Sequence, residues 1–353
     1  NGENGALLLE PSRQQLIQFS EYFGDSYWTK SGASVVGGFT SPEGLSNAYK
    51  LVEDTSTGDK NIFTSSISIT NSTSYSIHHY IKAGEKEIVG IQDVINSQYW
   101  ASIDLINGVV LDEKTSGSTK VEPLINGYYK VSYPFISNTT SIRPSIFLLP
   151  DSYTTGRPSD QDYTGDGTSG VYIFGAMLEA GSYSSSYIPN HGTSGGVTRA
   201  ADTCLGAGDV DSINSVEGVL FWEGSFDSTS TTAGAVALIG ANSNRVQLYN
   251  SGSNVIALIG VNGITSFTAT TSGSVDITSN HKYAVKWALN DFALWVDGVK
   301  IATDTSGATF NNDALTELRF SDFGASYFYA NVKQVAVFNE ALSDSELATL
   351  TTL

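Results

Sequence analysis

Carboxylates are the commonest ionisable side chains in this chain: 36 Asp and Glu stand against 18 Lys and Arg, 18 Tyr, 4 His and one Cys. Glycoside hydrolysis needs two carboxyl groups facing each other across a cleft, about 5 to 9.5 Å apart. The nearest grouping, Glu217, Glu223 and Asp227, fits no paired-carboxylate strand pattern and reads as solvated acids, so no hydrolase or lyase activity is expected. A lyase set of Tyr, His and Arg drawn from distant strands leaves no constellation in the sequence. Gly192-Thr193-Ser194-Gly195-Gly196 has the letters of a nucleophile elbow, but such an elbow joins a strand to a helix, and here it sits in a Gly/Ser stretch. Gly165-Asp166-Gly167-Thr168-Ser169-Gly170 formally fits a dinucleotide fingerprint, yet a strand pattern follows where a helix is required. Asp160, Asp162 and Asp166 alternate within that same Gly-rich region. Hard oxygens grouped in this way suit a structural Ca²⁺. The twelve-residue loop pattern is incomplete, so solvated turn residues are the alternative. His78, His79, His191 and His281 have no metal-ligand spacing.

The aromatic residues say more. Around residues 75–82, Ile77, His79 and Ile81 alternate with His78, Tyr80 and Lys82. Further on, Ala101, Ile103 and Leu105 alternate with Trp100, Ser102 and Asp104, and Tyr129 and Val131 alternate with Tyr128, Lys130 and Ser132. If these strands share a sheet, its outer face combines Tyr80, Trp100, Tyr128 and Lys130, with the other sets turned to the core. Such a platform suits the apolar face of a sugar ring beside hydrogen-bonding groups. A subunit interface and plain exposure are the other two readings.

Elements able to position such a face are strands. Period-two alternation dominates from about residue 60, as in Ile67-Ser68-Ile69-Thr70 and Ile142-Arg143-Pro144-Ser145-Ile146-Phe147-Leu148-Leu149, with Gly, Asn, Asp and Ser clusters between the runs. Helical signals are few: a capping box, Ser343-Asp344-Ser345-Glu346, opens a short helix to about Leu350, and Pro11 followed by Ser12-Arg13-Gln14-Gln15 suits one more turn. The expected class is all-β, two tandem β-sandwiches of the jelly-roll type with few short helices. With 353 residues and roughly 150 per domain, the expected division is 1–203, a linker at 204–214, and 215–353.

Composition narrows the function. The net charge of −18 leaves no basic surface to neutralise phosphates, which argues against nucleic acid and anionic membranes. The lone Cys204 cannot form an intrachain disulfide, and no apolar run is long enough to span a bilayer. The start, Asn1-Gly2-Glu3-Asn4-Gly5, has no initiator Met and reads as a segment of a longer chain.

Two stretches resemble known families. Tyr163–Gly181, then Ser186-Tyr187-Ile188-Pro189 and Thr198-Arg199-Ala200-Ala201-Asp202, resemble the closing strand and exit of jelly-roll modules in phage head-spike, head-fibre and tail-fibre proteins. Leu7-Leu8-Leu9-Glu10-Pro11-Ser12-Arg13, Trp28-Thr29-Lys30 and Gly127–Ser132 are similar to the opening, early and middle motifs of the same modules, so the likeness covers about residues 6–203. Met177 and Asn190 depart from the pattern, which usually carries Gln and Thr there. His281–Trp287, Ala293–Val299 with its Asp297-Gly298 turn, Leu318-Arg319-Phe320 and Asn331–Ser343 look like a laminin-G or concanavalin-A-like lectin sandwich over about 215–353. The first resemblance implies a fibre or spike on the virion surface, a homotrimer that contacts other virion proteins and adheres to host-surface glycan. The alternatives are a tandem carbohydrate-binding segment of a secreted polysaccharide-degrading enzyme and a capsid decoration module without ligand.

Overall fold

The computed structural model describes residues 7–227, 229, 234–273, 275–321 and 328–353. It is mostly β, with antiparallel sheets throughout and, among the described residues, one α-helix. The chain divides into two compact units, Arg13–Arg199 and Asn1–Ser12 together with Ala200–Leu353.

In the unit Arg13–Arg199, two six-stranded sheets enclose one core. The first has the order Lys120–Pro123, Tyr129–Ile136, Ser74–Ala83, Gly170–Ala180, Ala48–Glu53, Ala33–Phe39. The second runs Val109–Glu113, Trp100–Asp104, Ile88–Asp93, Pro144–Leu148, Lys60–Thr64, Trp28–Ser31. Alternation decides which side chains enter the core. Ile77, Ile81, Val131, Tyr133, Val171 and Ile173 come from the first sheet and Val89, Ile91, Ala101, Ile103 and Ile146 from the second, all fully or almost fully buried. Trp28 is sealed in the same core, its indole N–H donating to the Phe19 carbonyl at 2.7 Å. Arg13–Gln15, expected to turn helically, is a strand paired with Val197–Arg199. The Gln15 side chain explains why extension wins: buried, it donates to the Ala176 and Ile188 carbonyls and accepts from the Leu178 and Ile17 N–H groups.

The other unit packs the six-stranded sheet Leu7–Leu9, Ala330–Phe338, Gly218–Phe226, His281–Trp287, Phe292–Val296, Val299–Asp304 on a five-stranded one. The five-stranded sheet runs Ile264–Thr270, Asn254–Val261, Arg245–Ser251, Val236–Ile239, Glu317–Phe320. Trp222 and Tyr283 stack in its core, centroids 4.9 Å apart and 10° from parallel, with Phe226 and Phe328 edge-on to Trp222. Asp297 and Gly298 close a two-residue hairpin with φ of 49° and 78°, the left-handed pair that a tight turn between twisted strands demands. Helix Asp344–Thr351 begins at the Ser343 capping box and lays Leu347 against Val219, Phe221, Ala284, Ala293 and Trp295.

Two segments lie elsewhere than the sequence boundaries put them. Leu7–Leu9, read with residues 1–203, instead extends the edge of the C-terminal six-stranded sheet, pairing Leu7 with Val332 and Leu9 with Ala330. Leu9 enters that core, and Glu10 and Asp202 exchange two hydrogen bonds beside it. Within 204–214, read as linker, the Cys204 and Ala207 backbone bonds to the edge strand at Phe320 and Leu318.

Candidate functional site

The outer face of the first sandwich's sheet gathers the aromatic side chains. Lys130, Tyr80 and Phe174 are direct cross-strand neighbours, as are Lys82, Tyr172 and Lys50 in the adjoining row. The strand Gly170–Ala180 makes this possible by a one-residue bulge. Phe174 faces Tyr80 and Ala176 faces His79, leaving Gly175 unpaired. Before the bulge Val171 and Ile173 point inward, and after it Ala176 and Leu178 do. Only glycine fits at 175: its φ is +55°, and a Cβ would stand 2.8 Å from Tyr80 and 3.2 Å from Tyr187.

On this floor the rings form one cluster. Tyr80 lies 5.8 Å from Phe174 and 5.6 Å from Tyr187, the latter edge-on. Phe39 meets Tyr172 edge-on at 5.0 Å. The Lys82 ammonium lies 5.8 Å from the ring centres of both Tyr128 and Tyr172, within cation–π reach. Phe39, Tyr80, Lys82 and Tyr172 are half-buried, so each keeps surface toward solvent. The segment around Tyr187 covers the other end of the face. Tyr187 shares a 2.6 Å hydrogen bond with Ser20, and Lys130 donates to the Ser185 carbonyl at 3.1 Å. Beneath it, burial and the nearby Lys130 charge hold His78 well below the usual histidine range. Glu179, raised by burial, accepts from the Ser185 N–H and hydroxyl and pairs with Arg13 at 3.2 Å.

Of the residues expected to form a platform, Tyr80, Tyr128 and Lys130 share this face. Trp100 does not: its strand belongs to the opposite sheet, where it pairs with Gln92. Trp100 does point away from the core, half-buried, while Ala101, Ile103 and Leu105 are buried within it. Tyr128 is on the right face but only 1% exposed, its hydroxyl donating to the Thr40 carbonyl; it supports the surface from below. Phe39, Tyr172, Phe174 and Tyr187 were missed. The alternation of Val171-Tyr172-Ile173-Phe174 marks two of them, whereas Phe39 and Tyr187 arrive from segments with no such signal.

The acidic loop does not bring the three carboxylates expected to hold Ca²⁺, Asp160, Asp162 and Asp166, together. Asp166 closes its own turn, accepting from the Thr168 and Ser169 N–H groups and hydroxyls, which hold its carboxyl well below the usual range. Asp160 and Asp162 instead lie beside Asp59, whose carboxyl is pushed up first by burial and then by Asp162. Among the described residues, no group of three or more His, Cys, Asp or Glu side chains could hold a metal ion. Glu223 accepts from the Asn280 amide at 3.1 Å. No described helix is long and apolar enough to cross a membrane.

Comparison with known proteins bears on the C-terminal unit. Residues 221–348 match the family described as the concanavalin A-like lectin/glucanases superfamily, and a lectin-type sandwich is what that region forms. No curated protein sequence matches the chain. Similar solved structures include the CBM40 of the Ruminococcus gnavus IT-sialidase, at 16% identity over 43% of this chain and 97% of that one, TM-score 0.36. Mouse laminin alpha1 domains LG4-5 align at 13% identity over 97% and 96% of the two chains, TM-score 0.27. A putative carbohydrate binding protein from Bacteroides ovatus aligns at 9% over 86% and 82%, TM-score 0.33.

Proposed function

We propose that the chain is a non-catalytic, carbohydrate-binding part of a bacteriophage surface fibre or spike, and that the aromatic face of its first sandwich grips host-surface glycan. One geometric fact carries this reading: the Lys82 ammonium lies 5.8 Å from the ring centres of both Tyr128 and Tyr172, in the same cluster as half-buried Tyr80 and Phe39. Rings offer flat apolar surface to the C–H face of a pyranose, and an ammonium offers three donors to its hydroxyls. The lectin-type match of residues 221–348 supports the same chemistry. The motif likeness of residues 6–203 to phage fibre modules supports a place on the virion, beside other virion proteins and as a homotrimer. The description of the matched family, lectins and glucanases together, favours one second reading, a binding segment of a secreted polysaccharide-degrading enzyme. Incubation with host polysaccharide separates the two: binding without shortening of the polymer is expected. Depolymerisation lost on replacing one carboxylate would overturn the non-catalytic reading.

A further inference from the structure

The aromatic face of the first sandwich carries a charge opposite to that of the chain. Strand alternation places Lys50, Lys82, Lys120 and Lys130 in its outward set, with Glu122 and Glu179. That is four cations to two anions in a protein of net charge −18. Glu179 is fully buried and already engaged by Arg13 and Ser185. Glu122 stands on the edge strand opposite Lys130. Neither is a cross-strand neighbour of Lys82, whose row continues to Tyr172 and then Lys50.

Lys82 is the cation of this set that the protein leaves open beside the rings. Lys50 pairs with Glu85 at 2.6 Å and donates to the Thr168 carbonyl, and Lys130 donates to the Ser185 carbonyl. Elsewhere in the chain, too, the buried or half-buried lysines each reach a carboxylate or a backbone carbonyl. The half-buried Lys82 meets ring faces instead, and among the described residues its ammonium has no hydrogen-bond or ion-pair partner. An ammonium has three donors and no acceptor. The hydroxyl of half-buried Tyr172 likewise has no hydrogen-bond partner among the described residues and is not sealed from solvent. Lys82 and Tyr172 are direct cross-strand partners, a spacing of about 5 Å between Cβ atoms, so one small anion can touch both. It would break no ion pair on arrival.

We propose that the aromatic face selects an acidic sugar, with the Lys82 ammonium and the Tyr172 hydroxyl on its carboxylate and the neighbouring rings under its apolar surface. The inference rests on the glycan-binding reading of this face and names the sugar class it takes. One ammonium and one hydroxyl match the single charge and two oxygens of a carboxylate. A phosphate monoester carries nearly two charges and three acceptor oxygens, more than this pair satisfies. A bare anion would leave the half-buried Tyr80 and Phe39 without a role, which is why a sugar acid fits better than a small anion.

The experiment titrates the whole chain with oligogalacturonate, a hyaluronan oligosaccharide and sialyllactose, each against its own methyl ester, with acetate as the bare-carboxylate control. Esterification removes the charge and leaves the rings and hydroxyls in place. At least one acid is expected to bind about tenfold more tightly than its ester, the measure of one charge-assisted hydrogen bond. The preference should weaken as salt rises, and acetate should not compete. Lys82→Met keeps the stem and removes the charge, and it should erase the preference. Lys82→Arg should retain it, which a variant damaged in folding would not do. Tyr172→Phe should reduce the preference severalfold at an unchanged thermal midpoint. Acid and ester binding equally would overturn the acidic-sugar inference while leaving the glycan reading of the face standing. No binding of any acid or ester would overturn both. A preference that survives Lys82→Met, or acetate competing at the sugar's own concentration, would overturn the inference alone.

Discussion

Lys82 and Tyr172 meet at 5.8 Å on a surface that contributes little to the core, so each can be removed without unfolding the sandwich. Lys82→Ala and Tyr172→Ala are expected to reduce adsorption to host glycan about tenfold each, in line with about 1 to 2 kcal/mol for a desolvated cation–π and stacking contact. Thermal midpoints should shift by a few degrees at most. Full adsorption by both variants would remove the glycan role from this face. Trp100 gives the opposite expectation. A large core side chain costs about 3 to 5 kcal/mol when truncated to Ala, but Trp100 is half-buried on the outer face of the other sheet. Trp100→Ala should therefore cost about 1 kcal/mol, as surface substitutions do, and leave adsorption unchanged. Its direction was legible from the alternation with Ala101 and Ile103; its distance from Tyr80 was not, because alternation fixes a face but not a sheet.

At the scale of the element, the bulge in Gly170–Ala180 controls the site. It lets one strand present Tyr172 and Phe174 outward, then Ala176 and Leu178 inward, without breaking its pairing to Ser74–Ala83. Gly175→Ala places a methyl group against Tyr80 and Tyr187 in a left-handed backbone conformation. The expected result is a loss of about 2 kcal/mol from strain and displaced rings, together with weakened glycan binding, read by thermal melts and adsorption. A variant as stable as the wild type would show that the rings are not seated on this glycine. The bulge leaves a trace in the sequence, where the apolar period slips by one after Phe174. The covering segment around Tyr187 leaves none, since Tyr183 and Tyr187 sit in a Ser-rich run with no strand period.

For the molecule as a whole, acid should be the destabilising condition. His79 is buried in the first sandwich's core, where burial pulls its pKa down to about 3, and His78 is lowered as well. The unfolded chain binds protons below the ordinary histidine value of about 6.5, which the folded one refuses. The His79 contribution is thus fully present above pH 6.5 and declines as pH falls toward 3, by about 1.4 kcal/mol per pH unit, with His78 acting in the same direction. Calorimetry between pH 7.5 and 4.5 should show the first sandwich's midpoint falling, and His79→Leu should flatten the slope. A midpoint constant down to pH 4.5 would contradict the buried neutral state.

What the sequence determined by itself was local. Period-two alternation gave the all-β class and the inward set of most strands, Asp297-Gly298 specified a left-handed turn, and Ser343 with Glu346 specified the helix start. Each depends on residues within a few positions of one another, where sterics and hydrogen bonding act without the rest of the fold. The tertiary structure alone decided which strands became neighbours. Leu7–Leu9 joined a strand more than 300 residues away, Trp100 and Tyr80 entered opposite sheets, and Asp166 was turned from Asp160 and Asp162 into its own loop. Backbone N–H and C=O groups are the same in every strand, so pairing is chosen by how distant side chains fill one shared core, and no short window of sequence contains that choice.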